Sequence, residues 1–200
     1  METTEALLEQ LRAFQPWNEQ EARDREELLR RLGSGEPLLT RENPSAHLTA
    51  SAWVVNPARN RVLMVYHNLY RSWSWLGGHA DGDADLAAVA LREVREESGV
   101  TQVRLLSPDI FSLEILTVDG HEKRGRYVSS HLHLNVTYLM EAPDTQPLRC
   151  KPDENSQAGW FGLQEAVAAS VEPWFQARIY TKLNAKLAVF PFSGKGSSCF

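Results

Sequence analysis

Glu93, Glu96 and Glu97 lie in the run Arg92-Glu93-Val94-Arg95-Glu96-Glu97-Ser98-Gly99-Val100. On a helix turning about 100° per residue, the three glutamates fall within an arc of about 100°, so three carboxylates converge on one patch. Like charges at these spacings cost an isolated helix roughly 0.2–0.5 kcal/mol per pair. Glu96 and Glu97 also stand in the last turn, where the helix dipole favours cations. The arrangement is poor for stability and good for gathering hard oxygen donors around a divalent metal such as Mg²⁺. The plain alternative is a solvated acidic face neutralised by Arg92 and Arg95.

The elements around this run decide between the two. Upstream lies Gly77-Gly78-His79-Ala80-Asp81-Gly82-Asp83-Ala84-Asp85, a glycine pair followed by a turn loop. The periodicity predicts a helix from about Asp83 to Ser98, stopped by Gly99 where a left-handed residue is least costly. Its apolar stripe of Leu86, Ala87, Ala90, Leu91 and Val94 runs beside the acidic face, which brings the carboxylates to the edge of a buried region. Asp83 and Asp85 are expected to cap the helix. The spacing of Asp81, Asp83 and Asp85 hints at a calcium loop, but Leu86 and Arg92 occupy the positions where that loop needs glycine and a bidentate glutamate.

Taken together, residues 78–100 resemble the signature of the Nudix hydrolases, G-x5-E-x7-R-E-U-x-E-E-x-G-U, with U a bulky apolar residue. Gly78, Arg92, Glu93, Val94, Glu96, Glu97, Gly99 and Val100 match; Ala84 stands where the first glutamate belongs. The resemblance implies an α/β/α sandwich around a mixed sheet and water-driven cleavage of a nucleoside diphosphate linked to another group. The cofactor it implies is Mg²⁺, with Mn²⁺ as the substitute. Glu93, Glu96 and Glu97 would be metal ligands with Gly78 contributing its backbone. Glu93 and Glu97 would be catalytic, and Arg92 would hold the glutamates by ion pairing. Glu154, six residues before Trp160, looks like a further carboxylate that joins from a late loop as ligand or general base. The missing first glutamate weakens activity on this reading rather than abolishing it, with Asp83 or Asp85 either substituting for it or only capping the helix. The features expected of ADP-ribose, dinucleoside polyphosphate and coenzyme A members are absent, which leaves the leaving group open.

Other candidates surround this segment. His79 follows the glycine pair, and His131, His133 and Asn135 share the polar face of an alternating strand whose other face is Leu132, Leu134, Val136 and Tyr138. His79, His131, His133 and Asn135 are therefore read as a substrate-binding floor. The loop from Asp119 to Tyr127 carries Lys123, Arg124 and Arg126 and reads as a solvated hairpin tip, and Trp73 and Trp75 read as packing beside the glycine turn.

The rest of the chain must position these residues. Leu7, Leu8, Leu11 and Phe14, then Leu28, Leu29 and Leu32, predict two amphipathic helices broken near Pro16, and Thr40 to Ser45 reads as a linker. Residues 1–45 form an arm, a packing element or homodimer contact; residues 46–190 form the main domain; residues 191–200 form a flexible tail. A hairpin is expected from Leu48–Val55 and Arg61–His67, with strands near 103–106, 110–118, 131–139 and 159–161 and helices at 163–170 and 173–187. Interleaved strands and helices indicate an α/β class with an N-terminal helical extension.

Composition narrows the function. A net charge of -5 argues against a nucleic-acid polymer as partner, and no stretch reaches the roughly 20 apolar residues of a membrane span. Cys150 and Cys199 have neither disulfide nor zinc spacing, and both lie outside the site segments, which disfavours a cysteine-dependent isomerase. A cytoplasmic metal-dependent hydrolase of small phosphorylated substrates is the leading reading. The runner-up is a Nudix-fold module that binds a nucleotide derivative without turnover.

Overall fold

The computed structural model describes residues 2–123 and 125–191; Arg124, Cys199 and the expected tail from 192 onward lie outside the described residues. Helices α1 (Glu2–Ala13) and α2 (Glu19–Gly33) form the arm, with Asn18 capping α2 through the Glu21 amide. The body contains β1 (Ala46–Val55), β2 (Arg61–His67), β3 (Ser72–Ser74) and β4 (Leu76–His79), then helix α3 (Leu86–Ser98). Next come β5 (Arg104–Leu105), β6 (Ser112–Val118), β7 (His121–Lys123), β8 (Arg126–Val128), β9 (His131–Glu141) and β10 (Asn155–Gly162). Helix α4 (Leu163–Ala169) follows, and a π-helical segment (Phe175–Tyr180) leads into α5 (Thr181–Val189). The sequence reading lacked β3 and β4, which are too short and too rich in glycine and serine to show a period.

The sheet is mixed, with order β10-β2-β1-β9-β5, and β3, β4 and β6 pair with β2, β1 and β9 respectively. The spine is the parallel pair β1–β9, in register over ten residues from Ala46↔Leu132 to Val55↔Glu141. On its other side β1 meets β2 only at Val55↔Val62, and β4 takes over from Thr49↔His79 to Ala52↔Leu76. This change of partner brings the Gly77-Gly78 pair and His79 alongside the start of β1.

Alternation along the strands sorts the two faces. Leu48, Ala50, Ala52 and Val54 of β1 join Leu134, Val136 and Tyr138 of β9 in a core with Leu86, Val89, Ala90 and Val94 of α3, and that core extends to Leu7, Leu11, Leu28 and Leu32 of the arm. Trp53, Val55, Val62, Met64 and Leu139 form a second core against Ala166, Ile179, Tyr180 and Leu183. Trp73 packs on Tyr66 and Phe161, and Trp75 on Phe175 and Tyr180, so both tryptophans serve packing.

The arm is tied to the body by polar contacts as well as apolar ones. Asp24 accepts from the Ile115 amide and Gln20 donates to the Leu113 carbonyl, which satisfies the backbone of β6. Glu21, fully buried, pairs with Lys186 at 2.8 Å and Lys182 at 3.2 Å, and Lys182 reaches Glu114 at 3.0 Å. Two buried carboxylates facing two buried ammonium groups hold α2, β6 and α5 in one arrangement, since removing either partner would leave an uncompensated charge. Among the described residues no helix is long and apolar enough to cross a membrane.

Candidate active site

Helix α3 begins at Asp85, whose carboxylate accepts from the Ala88 amide at 3.0 Å, and ends at Gly99, which adopts φ 74°. Capping at both ends fixes the register of the glutamates. Glu97 is buried and accepts from the Gly77 amide at 2.9 Å. Burial pushes its carboxyl up to about 8, with Glu93 and Glu154 adding to the rise. Glu93 is half-buried and is raised as well, first by burial and then by Glu96. Glu96 is exposed.

Gly78 stands directly against this cluster. A Cβ there would lie 2.5 Å from the Glu93 carboxyl carbon and 2.8 Å from Oε2. Only glycine leaves the Glu93 carboxylate in its place.

Glu154 arrives from the loop before β10. Lys151 bridges it to the helix, 2.8 Å from Glu154 and 3.4 Å from Glu96. The loop is anchored by Asn155, which is fully buried: its side chain donates to the Glu97 carbonyl at 3.3 Å and accepts from the Lys151 amide at 2.9 Å. Four carboxylates therefore face one region from two elements, with one lysine among them. Asp153, the weaker alternative to Glu154, is exposed.

A family model described as the NUDIX domain matches residues 45–183. The chain belongs to the NUDIX family. Among solved structures it resembles an Ap4A hydrolase binary complex from C. elegans, at 20% identity and TM-score 0.52, over 72% of this chain and 98% of that one. It also resembles the Nudix hydrolase RenU of M. smegmatis, at 15% identity and TM-score 0.53, over 74% and 90% of the two chains. A NUDIX-family hydrolase from Clostridium perfringens aligns at 18% identity and TM-score 0.50, over 71% and 96%. These likenesses establish the NUDIX fold. No curated protein sequence matches the chain.

Within the NUDIX signature, the arginine behaves differently from the sequence expectation. Arg92 pairs with Asp83 at 3.4 Å and makes no ion pair with the three glutamates among the described residues. The reason is rotation about the helix: Arg92 is exposed and points back over the N-terminal loop, one side of α3 away from Glu97. Asp83 in turn accepts from the Asp85 amide at 3.0 Å. The loop that lacks the signature glutamate at Ala84 is thus tied to α3 by its neighbour Asp83. Because both partners are more than 40% exposed, the tie is worth at most about 1 kcal/mol. Asp83→Ala is expected to lower thermal stability by less than this, measurable by calorimetry.

Asn135 is also corrected. It accepts from Thr49 and Ser51 and donates to Glu114 and Thr137, which uses its whole hydrogen-bonding capacity inside the protein and leaves nothing for a substrate. The histidines His79, His131 and His133 do come together, joined by His47.

The residue that sequence reasoning passed over is Asn155. Its signal was present as an asparagine directly after Glu154 at a strand start, a place where a side chain that bonds backbone groups is favoured. Asn155→Ala leaves the Glu97 carbonyl and Lys151 amide without this partner. The expected cost is about 1–3 kcal/mol of stability and about tenfold in kcat, as Glu154 loses its position; chemical denaturation and steady-state kinetics on one preparation check both.

Proposed function

We propose that this NUDIX pyrophosphohydrolase is metal-dependent, cleaving the diphosphate linkage of a nucleoside diphosphate derivative by attack of water at phosphorus. The observation that carries the reading is the buried Glu97 carboxylate, which has no ion pair among the described residues and faces two further carboxylates. A carboxyl group held away from water among others of its own charge is unfavourable unless a cation joins it. The residues fit Mg²⁺: the donors are oxygens, and Gly78 leaves open the space beside Glu93 that a Cβ would fill. Glu93, Glu96 and Glu97, with the Gly78 backbone, would hold the ion. When bound, it would neutralise charge on the diphosphate and lower the pKa of a coordinated water.

The protein groups supply the rest. The Gly77 amide fixes one oxygen of Glu97, and the other would be free to meet the ion. Glu154, held beside Lys151 on the loop that Asn155 anchors, would accept a proton from the attacking water, with Glu93 as the second candidate for that role. Lys151, held between Glu96 and Glu154, would favour the anionic phosphate. The same proposal covers a cytoplasmic enzyme acting on small molecules.

The test is release of phosphate or nucleotide from a panel of nucleoside diphosphate derivatives with Mg²⁺ or Mn²⁺. Turnover that requires the ion supports the proposal and identifies the leaving group. Binding of panel members with no turnover at any metal concentration would replace it with a nucleotide-binding module.

A further inference from the structure

Four histidines meet on the side of the sheet away from α3. On β4, Gly78 faces Glu93 whereas the Cβ direction of Gly77 meets Ser51; His79 alternates with Gly78 and so points with Gly77. His47 and His133 are direct partners across the β1–β9 pair, and His79 pairs with Thr49 two residues further along β1. The rings of His47, His79 and His133 form a triangle with centroids 5.0 Å apart on every side. One nitrogen from each lies within 4.8 Å of the others.

We propose that His47, His79 and His133 bind a transition-metal ion, with Zn²⁺ the one their chemistry suits best, in a site separate from the carboxylate cluster on α3. Imidazole nitrogen is a ligand for Zn²⁺ and a poor one for Mg²⁺. A tetrahedral zinc with bonds of about 2.0–2.1 Å holds its nitrogens about 3.4 Å apart, so the triangle must contract by at most about 1.5 Å. Rotation of the rings about χ2, a soft torsion, covers that distance.

Two features besides the triangle point to an ion. His47 is 5% exposed, and both of its ring nitrogens are buried, beside the Asn43 backbone and the rings of His79 and His133. Beside it, His131 is already oriented: its Nδ1 faces the Ser129 carbonyl at 2.8 Å, and its Nε2 lies 3.3 Å from Nε2 of His133. A carbonyl behind one imidazole nitrogen is the arrangement that directs the other toward a metal, and 3.3 Å matches the spacing of two ligands on one zinc. His131 thus stands beside the triangle as a neighbour of His133, outside the three residues whose nitrogens converge.

The site would clamp β1, β4 and β9 at the end where β4 carries Gly77 and Gly78. Its chemistry does not depend on the hydrolase reading. The test is titration of metal-free protein with Zn²⁺ in excess Mg²⁺, which occupies the carboxylates, followed by the same titration of His47→Asn, His133→Asn and Glu97→Gln. The parent is expected to take up one equivalent, each histidine variant to bind at least roughly a hundredfold more weakly, and Glu97→Gln to bind as the parent does. Zinc-edge X-ray absorption of the loaded parent guards against a variant that fails to fold and is expected to show the outer-shell scattering of imidazole ligands. No stoichiometric uptake by the parent, an oxygen-only ligand shell, or loss of binding in Glu97→Gln with retention in His47→Asn would each overturn the proposal.

Discussion

Glu97→Gln is expected to lower kcat/KM by about a thousandfold while making the metal-free protein more stable at pH 8. The first effect follows from the proposed role of the carboxylate: removing a charged ligand forfeits several kcal/mol of charge stabilisation, and about 4 kcal/mol corresponds to a factor of a thousand. The second follows from the cost of burying that charge. Burial raises the folded-state pKa of Glu97 from an ordinary value near 4.5 to about 8. Below pH 4.5 the group is protonated in both folded and unfolded chains and carries no penalty. As pH rises from 4.5 toward 8 the unfolded chain ionises first, so stability falls, and above 8 the loss is constant. Glutamine keeps an oxygen to accept from the Gly77 amide and never ionises. The gain at pH 8 is on the order of 4 kcal/mol at most, and it should vanish below about pH 4.5. Thermal unfolding across pH in the presence of a chelator checks the stability arm. A variant less stable than the parent at pH 8 would mean that Glu97 is held mainly by structural contacts.

Gly78→Ala should have the second largest effect, by a different route. Gly78 is not among the glycines of positive φ, so alanine is accepted by the backbone and the fold should survive. The new methyl would stand 2.5 Å from the Glu93 carboxyl carbon, and the side chain must move by about an ångström to escape. A displacement of that size in a reacting constellation costs about a hundredfold. Kinetics at saturating Mg²⁺ are expected to show this loss in kcat, with thermal stability changed by less than about 1 kcal/mol. Full activity in Gly78→Ala would show that Glu93 works from some other position.

How far the sequence foretold these sites depends on whether the determining contact is local. Helix α3, its Asp85 cap, its Gly99 stop and the convergence of its glutamates were legible because periodicity and capping act within a few residues. The alternation of β9 was legible for the same reason. Asn135 was placed on the right face and given the wrong task, because its partners Thr49, Ser51 and Glu114 lie on β1 and β6. Arg92 was assigned to the glutamates, which share its helix, and instead pairs with Asp83 across the loop. His47 carried no signal: a single histidine at the start of a strand becomes notable only when the parallel register sets it against His133. The buried group of Glu21, Glu114, Lys182 and Lys186 was invisible as well, since each reads as a charge on the polar side of its own element, and only the docking of the arm and α5 onto β6 removes them from water.

The most direct test of a divalent cation at Glu97 is calorimetric titration of the metal-free protein with Mg²⁺ at pH 7, in two buffers of different ionisation enthalpy. With its carboxyl raised to about 8, Glu97 is mostly protonated at pH 7, and an ion that binds it must displace that proton. The parent is expected to release close to one proton per Mg²⁺ bound, and Glu97→Gln to bind more weakly and release almost none. Binding without proton release in the parent, or equal release in the variant, would contradict a metal centre built on Glu97.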